Sequence, residues 1–238
     1  MKKILYLFFG LLPVIISCEK DKEKPIPEVP EEIIRTVANP ILYPRVEQLF
    51  PTNQQATLTF PFLFSDTVQK RIVLTRESKV YLTFIAERAV YKNSVGWYSY
   101  KLGSEPKSVK DIEKHLLFPN VSAKGEGGEL MQGDMLQLGD TTFTKNTVVG
   151  FFIILQGWQN GSIDWGKPTH YTDPFLNEGT KQQHVLFREK DSEDIVLGIE
   201  DTQFEIADKD FNDLIFKISD NKDNYKSISF DMNKVPIL

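Results

Sequence analysis

The chain is short of the groups from which most zinc and nucleophilic centres are built. It holds one cysteine, Cys18, and three histidines, His115, His170 and His184, in 238 residues. A lone cysteine excludes an intrachain disulfide, and histidines with no close-spaced His or Cys partner disfavour zinc. Basic residues are also in deficit, 28 against 33 acidic. That balance argues against nucleic acid as a partner, and against adhesion to anionic lipid by charge alone. The apolar run Ile4–Ile16, broken by Gly10 and Pro13, is too short to span a bilayer. A phosphate cradle is excluded too, because the glycine-rich stretch Gly125–Glu129 has no Lys-Ser/Thr pair after it and carries Glu126 and Glu129.

What is present begins with an export leader. Met1-Lys2-Lys3 gives a basic start, Ile4–Ile16 an apolar centre and Ser17 a small residue before Cys18, the layout of a secretory signal. Ile15-Ile16-Ser17-Cys18 resembles a bacterial lipobox, which implies a signal peptide over residues 1–17 and a lipid on Cys18. Cleavage removes Lys2 and Lys3, leaving 26 basic against 33 acidic residues and a net charge of −7. The expected membrane contact is therefore the lipid, and stable anchoring takes more than one acyl chain. Residues 18–40 read as a tether, charged and punctuated by Pro25, Pro27 and Pro30. Glu19-Lys20-Asp21 resembles the charged segments that follow the lipidated cysteine in Bacteroidetes surface lipoproteins. The expected location is the outer membrane, with display on the cell surface.

Residues 41–238 read as a single domain. Thr57–Phe64, Arg71–Thr75, Lys79–Glu87, Met131–Leu138, Thr147–Leu155, His184–Arg188, Ile195–Ile199, Leu214–Ile218 and Ser227–Phe230 have the length and the β-branched or aromatic content of strands. Pro61 points to an edge or bulge, and Thr147–Leu155 is apolar on nearly every residue, as a strand buried on both faces would be. Ser108–Leu117 predicts the one helix, with Ser108 and Asp111 as a capping pair and Val109, Ile112 and Leu116 at helical spacing. The fold class expected is mainly β, a jelly-roll-like β-sandwich with one short helix.

The stretch that concentrates chemistry is Ile195–Ile218. If its two apolar runs pair as a hairpin, Glu200 and Asp201 at the end of the first approach Asp208, Asp210, Asn212 and Asp213, which lead into the second. Five carboxylates and an amide on one rim repel by about 4 kcal/mol for each pair of charges ~4 Å apart at a partly buried position. A divalent cation relieves this, and calcium favours six to eight oxygen donors. Asp208, Asp210 and Asn212 have the one-three-five spacing of an EF-hand loop, but Asp213 stands where glycine is required and Ser219 where glutamate is. The alternative is that these side chains cap turns through their own backbone.

Several segments resemble a family catalogued as domain of unknown function 4114, found in bacterial secreted and surface proteins. They are Asn93–Tyr98, Phe118–Ser122, Gly125–Gly133, Gly150-Phe151-Phe152 with Gly157-Trp158, Gly198–Asp201, and Asp208–Asp213, spanning about 80–218. The resemblance implies a β-sandwich-like module on exported proteins, with no known catalytic residue. The expected function is a surface-anchored, calcium-binding lipoprotein module acting in adhesion or in glycan or protein recognition, without enzymatic activity. The competing class is a calcium-dependent extracytoplasmic hydrolase acting on glycans through a carboxylate pair. An aromatic surface near Trp97, Trp158 or Trp165 would serve sugar contact, although aromatics flanking strands are more often core.

Overall fold

The computed structural model describes residues 33–36, 39–223 and 225–238. The leader, Cys18 and most of the tether lie outside the described residues. In chain order the elements are β1 (Ile34–Arg35), α1 (Leu42–Leu49), α2 (Ala56–Thr59), β2 (Ile72–Val73), β3 (Tyr81–Glu87), β4 (Ser94–Lys101), β5 (His115–Phe118), β6 (Asp134–Gln137) and β7 (Thr147–Ile154). They continue with β8 (Trp158–Gln159), β9 (Ser162–Ile163), β10 (Thr169–Tyr171), β11 (His184–Arg188), β12 (Ile195–Ile199) and β13 (Leu214–Ser219). Among the described residues no helix is long and apolar enough to cross a membrane.

Two antiparallel sheets make the body. One runs β1-β6-β3-β13-β12-β11; the other runs β10-β7-β4-β5, with β2 beside β10 on the same edge of β7. The period-two alternation of side chains sends each strand's residues to two different cores. Leu197, Ile199, Leu214 and Phe216 meet Val95, Val149 and Phe151 between the sheets. The opposite face of the first sheet presents Val185, Phe187, Val196 and Ile215 to Leu42, Val46, Phe50 and Leu63 of the N-terminal segment. The opposite face of the second sheet buries Tyr98, Phe152 and Ile154 under Ile163, Tyr171 and Leu176. Apolar cover on both outer faces explains why Thr147–Ile154 is buried throughout and why strict alternation of polar and apolar residues is absent there.

The expectation of a mainly β, two-sheet protein holds, and the elements around it shift. The helix expected at Ser108–Leu117 is a single 3-10 turn, Val109–Asp111, followed by β5. The Ser108–Asp111 capping box forms, but pairing of Val95 with Phe118 and of Gly96 with Leu116 draws the apolar end onto β4. The longest helix among the described residues is α1 instead, whose Leu42 and Val46 pack on the first sheet. The strand expected at Thr57–Phe64 is α2 followed by a 3-10 turn, Pro61–Phe64, begun by the proline. Proline's fixed φ and missing N–H suit a first helical turn better than a ladder. Ser227–Phe230 contributes one bridge, Phe230 to Leu74, because the Asp220 carboxylate takes the Ile228 and Ser229 N–H groups at 2.8 Å each.

Both margins of the first sheet are covered. On one side β1 pairs with β6 over two residues, Ile34 opposite Met135 and Arg35 opposite Asp134, with an Arg35–Asp134 ion pair of 2.7 Å and a bond from the Thr36 N–H to the Gly133 carbonyl. On the other, the chain's last residues run beside β11, with Leu238 N–H to Arg188 O at 2.9 Å.

Candidate metal centre in the loop between β12 and β13

β12 and β13 pair antiparallel with Ile199 opposite Leu214, so the hairpin inferred from the two apolar runs is formed. The connection 200–213 therefore starts and ends at one rim of the first sheet. Its six acidic and amide residues divide into distinct groups. Glu200, Asp208 and Asp210 each bring a carboxylate oxygen to within 4.8 Å of the others. Three oxygens no more than 4.8 Å apart share a point about 2.8 Å or less from each, close to the ~2.3–2.6 Å of a calcium–oxygen bond. Glu200 is fully buried; its Oε1 accepts the Phe211 N–H at 2.7 Å, and its Oε2 has no hydrogen-bond partner. A buried carboxylate oxygen without a partner carries a desolvation cost of several kcal/mol, which a cation would offset.

Asp210 is buried too. Its Oδ2 accepts the Asn53 N–H at 2.9 Å and its Oδ1 the Asn212 N–H at 3.2 Å. The residues on either side, Lys209 and Phe211, have φ of 62° and 56°. Left-handed backbone at non-glycine residues costs about 1–2 kcal/mol each, and it is tolerated here where the chain folds Asp210 back toward Glu200. Asp208 is exposed and gives the group an open side. Burial, reinforced by repulsion from Asp208, Asp210 and Asp201, pushes the Glu200 carboxyl up to about 7 against the single opposing Phe211 N–H. Burial also raises Asp210.

Asp201 and Asp213 form a separate pair. Asp213 Oδ2 accepts the Asp201 N–H at 2.8 Å, while the Asp201 carboxylate takes the Asn93 amide at 2.8 Å and the Thr202 hydroxyl at 3.2 Å. Burial, followed by repulsion from Asp201, holds Asp213 well above the usual carboxylate range, as expected where two carboxyls share one proton. Asn212 turns its amide to the Phe50 carbonyl at 2.8 Å. The sequence thus assembled all six residues, whereas the fold brings the carboxylates of Glu200, Asp208 and Asp210 together and turns the other three residues to hydrogen bonds within and beside the loop.

Three contributors could not be found from sequence. Asn53 and Phe50 reach the loop from the end of α1, where no local signal marks them. Asn93 opens one of the resembling segments, but nothing in sequence marks its contact with the loop; it is fully buried and links Asp201 to the Gln156 N–H, whose nitrogen lies 3.0 Å from its Oδ1. The aromatic candidates are scattered. Trp97 is in the inter-sheet core and stacks on His115 with centroids 4.2 Å apart, so it has no surface to offer a sugar. Trp158 and Trp165 are half-buried over the outer core of the second sheet, with Lys114 above Trp165. The histidines stay apart from the carboxylates that converge, and burial lowers His184 to about 4.

Fold and loop together define an antiparallel β-sandwich whose acidic connection gathers buried carboxylates. Residues 143–221, from the turn before β7 to just past β13, match the family model described as Domain of unknown function (DUF4114). The match includes the whole acidic loop, while the resembling segments Asn93–Tyr98, Phe118–Ser122 and Gly125–Gly133 fall outside it. No curated protein and no solved structure matches the chain.

Proposed function

We propose that this is an exported, lipid-anchored envelope module in which a calcium ion fixes the 200–213 loop, acting in adhesion or in recognition of a glycan or protein. The observation that carries the metal assignment is the unpartnered, buried Glu200 Oε2 beside Asp208 and Asp210, with oxygens mutually within 4.8 Å. Calcium fits this donor set because the donors are oxygens alone, with Asp208 left open to water for further coordination. Zinc lacks nitrogen and sulfur donors here. A hydrolase would need its carboxylate pair beside a substrate space, and the cavities of about 780 and 540 Å³ are lined by neither the Glu200 group nor the Asp201–Asp213 pair. This supports a structural rather than a catalytic use of the acids.

Thermal unfolding with calcium and with chelator tests the metal. A saturating ion at about 100 Kd adds ~2.7 kcal/mol, and the melting temperature is expected to rise by several degrees; equal melting in a folded sample would sink the assignment. Anchoring is tested in the bacterial host by fractionation: the Cys18→Ser variant is expected to leave the membrane fraction, and its retention there would count against the lipid.

A further inference from the structure

The segment between β1 and β2 belongs to neither sheet, yet it reaches the metal loop directly. Residues 42–64 hold α1, α2 and the Pro61–Phe64 turn, and they lie across the outer face of the first sheet. Leu42, Val46, Phe50, Ala56 and Leu63 pack there with Val185, Phe187, Val196 and Ile215. Helices of eight and four residues are too short to persist in water unaided, so the segment keeps its shape through what it packs on.

Its ties to the loop are concentrated in residues 50–56. The Phe50 carbonyl accepts from the Asn212 side-chain amide at 2.8 Å, the Asn53 N–H donates to Asp210 Oδ2 at 2.9 Å, and the Ala56 N–H donates to the Lys209 carbonyl at 2.8 Å. Apart from bonds to its immediate neighbours in sequence, the last is the only backbone–backbone bond of 42–64 among the described residues. The connection Pro-Thr-Asn-Gln-Gln turns at Asn53 with a φ of 63°, a conformation asparagine tolerates better than most residues. At the other end of the segment the Phe64 ring lies 5.2 Å from that of Phe211. Arg88, whose N–H bonds the Asp213 carbonyl at 2.9 Å, adds more exposed contacts to Thr52 and Tyr43 and an ion pair with Glu47.

The loop residues that hold this segment are the ones a cation would order. Asp210 divides its two oxygens between the Asn53 and Asn212 N–H groups, and Lys209 and Phe211 on either side of it are in the left-handed region. Without an ion the ionised Glu200, Asp208 and Asp210 repel one another across 4.8 Å or less. A swing of Asp210 away from Glu200 pulls on Asn53, and relaxation of Lys209 and Phe211 pulls on Ala56 and Phe64. We infer that residues 42–64 are a strap seated by the metal: calcium in the loop holds them against the first sheet, and loss of calcium releases them. Release bares Val185, Phe187, Val196 and Ile215 on the outer face of that sheet. The ties between strap and loop stand on the hydrogen bonds alone; their control by calcium rests on the metal reading above.

Hydrogen exchange of the full-length chain, read by mass spectrometry with calcium and with chelator, tests this. In chelator, peptides from 42–64 are expected to exchange faster than those of β4 and β7, because the strap opens without unfolding the sandwich. Calcium at about 100 Kd should slow the strap peptides up to ~100-fold, the factor by which an ion bound to the closed form alone depletes the open one. Asn212→Ala removes the Phe50 tie and none of the three converging carboxylates. It is expected to speed strap exchange about fivefold in chelator and to shrink the factor by which calcium slows it, since the coupling is reciprocal. Ala56→Pro should act in the same direction, because proline suits the first position of α2 and removes the N–H given to Lys209. Strap exchange that is equal with calcium and with chelator, while calcium raises the melting temperature, overturns the strap. So does exchange of 42–64 that stays as slow as that of β4 and β7 in both variants. If calcium changes neither melting nor exchange although both variants speed the strap, calcium control is overturned and the fault lies in the metal reading.

Discussion

At the level of single side chains, the acidic loop separates two effects that sequence alone merges, charge density and charge burial. The density could be read from Glu200, Asp201, Asp208, Asp210 and Asp213. Which of them would be buried, and which carboxylates would converge, depended on Phe50, Asn53 and Asn93, all distant in sequence from the loop. The Glu200→Gln substitution keeps an acceptor for the Phe211 N–H and removes the charge, so it is expected to abolish most of the calcium increment while leaving the metal-free protein at pH 8 as stable as wild type or more so. Scanning calorimetry of both forms checks this; an undiminished calcium increment would remove Glu200 from the site. The pH response follows from the same group. Glu200 keeps its proton up to about 7 in the folded chain, against an ordinary 4.5, so between those values the native state binds more protons and stability falls as pH rises. Without metal, Glu200 alone should lower the melting temperature by roughly 5–10 °C from pH 5 to pH 8, at about 1.4 kcal/mol per pKa unit and ~2–4 °C per kcal/mol for a chain of this size, and Asp213, also raised, adds to the fall in the same direction. Calcium should reverse the trend, since it binds the ionised group, and a metal-free melt independent of pH would contradict the burial assigned to Glu200.

Among the elements, strands with continuous apolar runs were legible in sequence and helices were not. Thr147–Ile154 and Ile195–Ile199 announced themselves by composition, because cover on both faces leaves no polar position to confuse the pattern. Ser108–Leu117 misled because a capping box needs only one turn to form, after which pairing with β4 outweighed helical spacing. β12 shows how closely an element can be tied to the loop it feeds. A Cβ on Gly198 would sit 2.4 Å from the Phe211 carbonyl oxygen, the residue whose N–H holds Glu200. Gly198→Ala is expected to cost about 1–3 kcal/mol and to weaken calcium binding, although it removes no ligand. Titration by calorimetry decides it, and unchanged affinity would mean that the loop moves independently of the strand.

For the molecule as a whole, the matched segment 143–221 holds only part of each sheet. It holds β7 through β13, but β7 lies between β4 on one side and β2 with β10 on the other, and β13 lies between β12 and β3. β3 and β4 stand outside the segment, as does the N-terminal cover of the first sheet. A polypeptide of residues 143–221 alone is expected to show no cooperative melt by circular dichroism, whereas residues 33–238 should; a sharp transition in the shorter piece would refute this. The two-sheet class was legible from strand count and spacing, while the closing segments were not, since their apolar residues are read by a surface that only the sheets create. One of those closures bears on mechanics. The segment leading to any anchor at the N-terminus enters through β1, clasped to β6 by two paired residues, one ion pair and the Thr36 bond. Tension on that end loads these few contacts ahead of the long ladders of β3 and β13, so β1 is expected to peel first while the remaining strands stay paired.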